Sequence, residues 1–369
     1  MTDSERATTE TQAASKGANH TGPDVENGTR RRLRDSAPQA KTAINLLALG
    51  LLCAWATSGS KFFLTRPNVE NVLSQVSLVA IIGCAMTLLL VAGAFDLSVG
   101  GVVALSGCVS AWLSLHGTSV PLSFLAGAAT GLAVGLVNSV LVVLLGINSL
   151  IATIGTMYVC RGFALLLTGG VALGGMSQSY GNLGNTYLGT VPITVIYMLV
   201  FVVVFSVAER WTLLGRYAVA SGSNEEAAFL SGVPVRRTRT LCFLLTGAAA
   251  GFAGIMVSSQ LTAGVPDAGT GLEFEVIVAA VVGGASLFGG EGRVTGTLLG
   301  ALIIGVLNNG LDLTNVRSYW QTVTLGFVLV VAVGLDILLR HPDVMRVARL
   351  VASPISALGR GQERIRDGM

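Results

Sequence analysis

The chain has 369 residues, of which 52% are hydrophobic and 12% are charged, with a formal net charge of +3. Ordinary soluble domains carry about twice this fraction of charged residues, so the composition excludes a soluble globular protein. Several apolar runs reach the ~20 residues that cross a bilayer core, which predicts an all-α, polytopic membrane protein. The five cysteines and three histidines show no spacing typical of a metal site.

Residues 1–42 are polar, contain no apolar stretch and are predicted to form a disordered N-terminal tail. The tail ends in a basic cluster beside the first predicted span: Arg30, Arg31, Arg32, Arg34 and Lys41. Basic residues beside the first span favour a cytoplasmic N-terminus. Anionic membrane lipid, and not nucleic acid, is the expected partner of this cluster.

Hydropathy predicts about ten spans within a transmembrane domain at 43–340. Their predicted bounds are 43–60, 72–94, 99–117, 121–145, 149–168, 190–208, 240–259, 272–289, 294–312 and 319–339. With a cytoplasmic N-terminus, alternation places the 209–239 loop and the C-terminal tail at 341–369 in the cytoplasm. Most lysines and arginines between the spans fall on that side, in agreement with the positive-inside rule.

The longest polar interruption between predicted spans is the stretch at 215–241. A helix of about two turns is predicted at Asn224–Leu230, with its first residue as the N-cap. Glu225 and Glu226 fall in the first turn, where the helix dipole favours acids, and Gly232 supplies a stop signal. Such a short, capped helix outside the bilayer is suited to contact by another protein. The alternative is an ordinary solvated loop.

Polar residues near the bilayer are candidates for a solute pathway or its gates. Asp96 lies between the second and third predicted spans, where an acid is a functional candidate. Alternatively, Asp96 caps the third helix with help from Ser98. Asn308, Asn309 and Asp312 fall late in the ninth span. Their amide and carboxylate groups suit hydrogen bonding to a hydroxyl-rich solute, but such groups also join helices to one another.

Three further charged residues lie at or inside predicted spans. Glu273 and Glu275 open the eighth span on the predicted outer side. They could meet a polar solute or dock an external protein, or simply occupy a favourable helix N-terminus. Arg161 lies midway along the fifth span, so we expect it to face inward and to pair with an acid or with backbone carbonyls.

Glycine is abundant, with 47 residues, many of them at small-xxx-small spacing inside predicted spans. Two such ladders are formed by Gly127, Gly131 and Gly135 and by Gly247 and Gly251. Ladders of this kind let membrane helices approach closely. The doubled glycines at 283–284 and 289–290 indicate broken or short helices, which at membrane depth face protein or a water-filled path.

Motifs for catalysis or nucleotide binding are missing from the sequence. It contains no G-x-x-x-x-G-K-[ST] phosphate loop, no nucleophile elbow and no Rossmann fingerprint after a strand. An enzyme within the membrane therefore has no positive support, and we predict a chain that is not an enzyme and that has neither a metal site nor a cofactor.

Several stretches together resemble the permeases of ABC importers. Glu226-Ala227-Ala228-x-x-x-Gly232 matches the core of the E-A-A-x-x-x-G motif in their coupling loop. Other matching stretches are AGAFDLSVGG, INSLIATIGTMYVCRG, AGTGLEFEVIVAAVVGGASLFGGEGRVTGTLLGALIIGVLNNGLDL and SYWQTV. Over residues 43–340 the chain is similar to the ribose/xylose/arabinose/galactoside-type sugar permeases, a subfamily that includes autoinducer-2 import permeases.

This resemblance implies a division of labour in the bacterial cytoplasmic (inner) membrane. Two permeases, either two copies or a pair of paralogues, form the pathway for a monosaccharide or similar polyol. Cytoplasmic ABC ATPase subunits supply the energy, and a periplasmic or lipid-anchored solute-binding protein delivers the solute. The implied ATPase-coupling residues are Glu225, Glu226, Ala227, Ala228 and Gly232. Closure of the ATPase pair would move this helix and switch the bundle by alternating access.

The alternative function is a self-sufficient, ion-coupled secondary transporter of a small polar solute. The glycines and the intramembrane acids would also suit that class. It does not explain the capped helix between the sixth and seventh spans, and the sequence shows no clear inverted repeat.

Overall fold

The computed structural model describes residues 23–340. Within that range, only the backbone is described for residues 23–40 and for positions 318, 335, 336 and 338–340. Residues 1–22 of the predicted N-terminal tail and the whole predicted C-terminal tail at 341–369 lie outside the described residues, so those predictions stay untested.

The described chain is built almost entirely from helices. They are α1 (Pro23–Gly59), α2 (Arg66–Val91), α3 (Val99–Leu115), α4 (Val120–Ser139, continued by a π-helical turn at Val140–Leu144), α5 (Ser149–Thr168), α6 (Gln178–Asn185), α7 (Ile193–Trp211), α8 (Leu213–Ser223), α9 (Glu225–Leu230), α10 (Val235–Leu261), α11 (Leu272–Val282), α12 (Val294–Leu313) and α13 (Ser318–Arg340). Two strands of two residues each, β1 (Tyr187–Leu188) and β2 (Val191–Pro192), pair antiparallel between α6 and α7. This small hairpin is a minor departure from the predicted all-α class.

Among the described residues, seven helices are long and apolar enough to cross a membrane. They are α2, α4 with its π-helical extension, α5, α7, α10, α12 and the Lys41–Gly59 part of α1. The apolar parts of α3 and α13 are shorter, at Val99–Leu115 and Tyr319–Gly334. The prediction of a polytopic helical membrane protein is confirmed, and the predicted count of ten spans is approximate.

The predicted eighth span, at 272–289, is wrong in its extent. α11 has 11 residues and ends at Val282, so it rises only about 16 Å, roughly half of a bilayer core. At Gly284 the backbone φ is +96°, which a helix does not allow. Leu287 and Phe288 are apolar beyond this point, which is why hydropathy extended the span. The doubled glycines therefore mark a broken helix, as the sequence indicated.

α1 begins inside the segment that was predicted to be a disordered tail. Over residues 23–42 the structure shows helix instead.

Burial differs sharply between the helices of the bundle. In α2, 78% of the most apolar window is buried, against 61% in α10 and 28% in α4, α5 and α7. α2 packs against α7, α10, α11 and α12, which places it at the centre of the bundle. The partly exposed helices present apolar outer faces, as expected of helices in contact with lipid.

α4 and α10 approach so closely that backbone contacts backbone. A Cβ atom added at Gly131 would lie 2.6 Å from the Cα of Gly251 and closer still to the carbonyl oxygen of Gly247. One turn along, a Cβ atom at Gly135 would lie 2.5 Å from the carbonyl oxygen of Phe243. The two glycine ladders found in the sequence therefore face each other across one interface.

We expect Gly131→Val to lower the stability of the folded chain. The added methyl groups meet backbone atoms that cannot rotate away, and overpacking of this kind costs about 1–3 kcal/mol. The measurement is the thermal midpoint of the purified protein in detergent, followed by size-exclusion chromatography. Gly50→Val is the matched control, because Gly50 on α1 is exposed and a Cβ there meets nothing within 4 Å. Equal losses at both positions would contradict the backbone contact.

Candidate functional site

The short helix α9 has the ends that the sequence predicted. The side chain of Asn224 accepts a hydrogen bond from the backbone N–H of Ala227 at 2.9 Å, so Asn224 is the N-cap. At the other end, Gly232 has a φ of +81° and donates its N–H to the carbonyl of Phe229 at 3.0 Å. Left-handed glycine is a usual way to end a helix. The predicted capped helix over Glu225–Leu230 is confirmed.

α9 presents one small residue inward and large apolar residues outward. Ala228 is buried, whereas Phe229 and Leu230 are 71% and 78% exposed. Beside the helix lies a cavity of about 570 Å³, lined by Glu225, Glu226, Phe229, Val233, Pro234, Val235, Arg236 and Arg237. Exposed apolar side chains with a charged rim are typical of a surface that another protein covers.

The two acids of α9 have different surroundings. Glu225 accepts a hydrogen bond from the guanidinium of Arg239 at 2.8 Å, forming an ion pair with the first turns of α10. Glu226 is exposed and faces the cavity. Arg239 could not be singled out from the sequence, because its partner Glu225 lies 14 residues away in a different helix.

Asp96 is fully buried at the non-helical turn between α2 and α3. One of its oxygens accepts the backbone N–H of Ser98 at 2.8 Å and the Ser98 hydroxyl, and the amide of Asn138 donates to both carboxylate oxygens at 3.1 Å. Ser98 is the N-cap residue of α3 and makes no side-chain cap hydrogen bond, so Asp96 closes the turn before α3 and does not cap the helix as the alternative expected. In this conformation Asp96 lines no open path. Asn138, on α4, is a member of the cluster that the sequence did not single out.

Arg161 faces inward from α5, as expected for a charge in the middle of a span. Its guanidinium donates to the hydroxyl of Thr270 at 2.7 Å and to the carbonyl of Gly269 at 3.4 Å, and it lies 3.7 Å from a carboxylate oxygen of Glu273. Glu273 is only 5% exposed. This burial is at odds with the expectation that Glu273 docks an external protein: it closes an ion pair between α5 and the first turn of α11.

The late polar residues of α12 separate onto two faces. Asn309 is buried and exchanges hydrogen bonds with Asn68 of α2, both at 2.9 Å. This reciprocal amide pair joins two helices. On the other face, the Asn308 amide reaches Glu275 of α11 at 3.4 Å, and Asp312 accepts a hydrogen bond from Gln321 of α13.

The arrangement as a whole defines a class of protein. A bundle of membrane-crossing helices with breaks near Asp96 and Gly284, and a short capped helix exposed outside the bundle, is the construction of a transport protein. The chain belongs to the family described as "Branched-chain amino acid transport system / permease component", whose profile matches residues 68–333.

Curated relatives agree with this assignment. The chain is 38% identical over 276 residues to the ribose import permease protein of Bacillus subtilis, covering 74% of this chain and 86% of the relative. It is 34% identical to the D-allose transport system permease protein of Escherichia coli K12, covering 78% and 88%. It is 39% identical to the L-arabinose ABC transporter permease protein of Azospirillum brasilense, covering 74% and 81%. No solved structure matches the chain.

The resemblance stated from the sequence is therefore confirmed. The chain is a transport component of the kind found in ABC sugar importers, and the ion-coupled alternative gains no support from these relatives.

We expect Glu273→Ala to destabilise the bundle by on the order of 3 kcal/mol, because it leaves the guanidinium of Arg161 without its buried counter-charge. The control is Glu70→Ala, which breaks the i, i+4 pair between Glu70, 20% exposed, and Arg66, 67% exposed, and should cost under about 1 kcal/mol because Arg66 remains solvated. For both variants the loss of stability is measured by thermal unfolding in detergent, monitored as the fraction of protein that stays in the monodisperse size-exclusion peak. A loss at Glu273 no larger than at Glu70 would contradict a stabilising ion pair.

Proposed function

We propose that this chain is the permease subunit of an ATP-driven, binding-protein-dependent importer that carries a monosaccharide or a similar polyol across the bacterial cytoplasmic membrane. The observation that carries the proposal is α9: a short helix, capped at both ends, with exposed Phe229 and Leu230 beside a charged cavity. A self-sufficient transporter has no need of such a surface. The names of the sugar-permease relatives support the solute class.

In this proposal α9 is the helix that seats in a cytoplasmic ABC ATPase subunit. Ala227 is exposed and small, so a partner surface can approach the helix closely. Glu226 and the exposed Arg236 and Arg237 supply charges of both signs around the apolar centre, which would fix the orientation of the partner. The N- and C-termini then lie on the same, cytoplasmic side as α9.

The solute path in this proposal follows the half-exposed polar strip formed by Glu275, Asn308, Asp312 and Gln321. These side chains offer both donors and acceptors, which a sugar hydroxyl requires. Asn309 and Asp96 are fully engaged inside the bundle and act as its supports or gates. A second permease, either a copy or a paralogue, would close the path on its open side, and a periplasmic or lipid-anchored binding protein would deliver the solute.

We expect Glu226→Lys to reduce the amount of co-purified ATPase at least about tenfold, because a reversed charge at a desolvated contact costs more than about 1.4 kcal/mol. The permease itself should keep its yield and its monodisperse profile, since Glu226 is exposed. Glu70→Lys, a charge reversal at the far end of α2, is the matched control and should leave the ATPase bound. Full co-purification with Glu226→Lys, together with normal uptake, would remove α9 from the interface.

We expect Asn308→Ala to raise the KM of uptake about tenfold, because one hydrogen bond to the solute is lost, with ATPase association unchanged. Asn309→Ala should instead lower thermal stability, since it leaves the buried amide of Asn68 unpaired. Uptake kinetics in proteoliposomes and melting curves separate the two effects. An unchanged KM for Asn308→Ala would exclude this strip as the solute path.

The proposal as a whole is tested by purifying the tagged chain from its native membrane in mild detergent and identifying its companions by mass spectrometry. Recovery of an ABC ATPase is the expected result. A chain that comes out alone, and moves D-ribose, D-allose or L-arabinose by itself in liposomes under an ion gradient, would overturn the proposal.

A further inference from the structure

One side chain joins α9 to the interior of the bundle. The guanidinium of Arg239 donates through Nη1 to a carboxylate oxygen of Glu225 at 2.8 Å and through Nε to the carbonyl oxygen of Ala92 at 3.0 Å. Its side chain is 18% exposed, whereas that of Glu225 is 60% exposed. Arg239 and its two acceptors are named the Arg239 clamp below.

The inner end of the clamp lies where α2 stops. α2 ends at Val91, and the carbonyls of a last helical turn have no partners within the helix and carry the negative end of its dipole. Arg239 meets one of them with a positive charge. From Ala92 the chain leaves helical geometry until Val99, and this break carries the buried Asp96. The clamp therefore connects the exposed helix directly to the non-helical segment that joins α2, the most buried helix, to α3.

A second contact at the same place involves backbone alone. Gly222, at the end of α8, packs so closely that an added Cβ atom would lie 2.6 Å from the nitrogen of Gly290, and closer to the Val91 carbonyl. The N–H of Gly290 donates to that same carbonyl at 2.9 Å. Gly289 also packs against this backbone, since its Cβ would be 3.1 Å from the Cα of Gly93. The segment leading into α9 thus touches both breaks of the bundle, with no flexible side chain between them.

We infer that Arg239 is a positioning residue that transmits displacement of α9 to the break at 92–98. The inference rests on the proposed function, because a partner must move α9. In this arrangement Glu226 contacts the ATPase, whereas Glu225 holds the guanidinium of Arg239. The planar guanidinium suits this position, since it holds two acceptors at once in a fixed geometry, which a single ammonium group does not.

The test follows movement of the break without depending on the solute. Phe95→Cys, in a Cys53→Ser background, places a thiol in the break, and its rate of labelling by a fluorescent maleimide is measured in the complex purified with its ATPase. Trapping with ATP and orthovanadate is expected to change this rate at least about fivefold in the otherwise unaltered chain. In Arg239→Lys and Arg239→Gln the change should fall below about twofold, while nucleotide trapping and ATPase co-purification persist.

Two controls keep the result specific. Arg216→Ala removes an exposed arginine from neighbouring α8 and should leave the response intact. Glu225→Gln weakens only the outer arm of the clamp, at a largely exposed position that the fold tolerates, and should give an intermediate response. It also replaces the Arg239 variants as the deciding measurement if those fail to fold.

The outcomes separate this inference from the proposed function. If no ATPase accompanies the unaltered chain, the proposed function fails and the inference fails with it. If the ATPase binds but trapping leaves the labelling rate unchanged in the parent, or changes it equally in Arg239→Lys, Arg239→Gln and Glu225→Gln, the clamp does not transmit movement. Loss of ATPase binding in Arg239→Lys would make Arg239 part of the interface and would also overturn the inference.

Discussion

Buried backbone that leaves helical geometry must find its hydrogen-bond partners within the protein, because an unpaired buried N–H or C=O group is costly. Both breaks in this bundle meet that requirement. The carbonyls of Val91 and Ala92 are satisfied by Gly290 and Arg239, and the N–H of Leu97 by the hydroxyl of Thr153 at 3.0 Å. The breaks therefore exist only because neighbouring segments close around them, and movement of those segments acts on the breaks directly.

The same constraint organises the polar side chains. Charged and amide groups inside the bundle form pairs between neighbouring segments: Arg161 with Glu273, Asn68 with Asn309, and Asp96 with Asn138. These pairs hold α2, α3, α4, α5, α11 and α12 in register at several levels of the bundle. Polar groups on half-exposed faces, such as Asn308, remain for contact with a solute. Burial, and not residue type, separates the supporting groups from those available for transport.

Much of this could be predicted from the sequence, where the governing physics is local. Span positions follow from hydropathy, and α9 follows from its cap at Asn224 and its stop at Gly232. The end of α11 was missed because apolar residues continue past Gly284 and conceal a change in backbone geometry. Partners were missed because they depend on tertiary packing: Arg239 and Ala92 are 147 residues apart. Residue type predicted that Arg161 would be paired, but only the fold gives its partner.

The backbone contact between α4 and α10 has a mechanical consequence. Where two helices touch through glycines, no side chains lie between them that could rearrange, so the two helices move as one rigid unit. α10 has 27 residues and extends about 40 Å, from the end that bears Arg239 to the opposite side of the membrane. The pair is therefore suited to carry a displacement from one end to the other as a rigid unit. A rigid contact between α4 and α10, made possible by glycine, would then let α9 on one surface control an opening on the other surface.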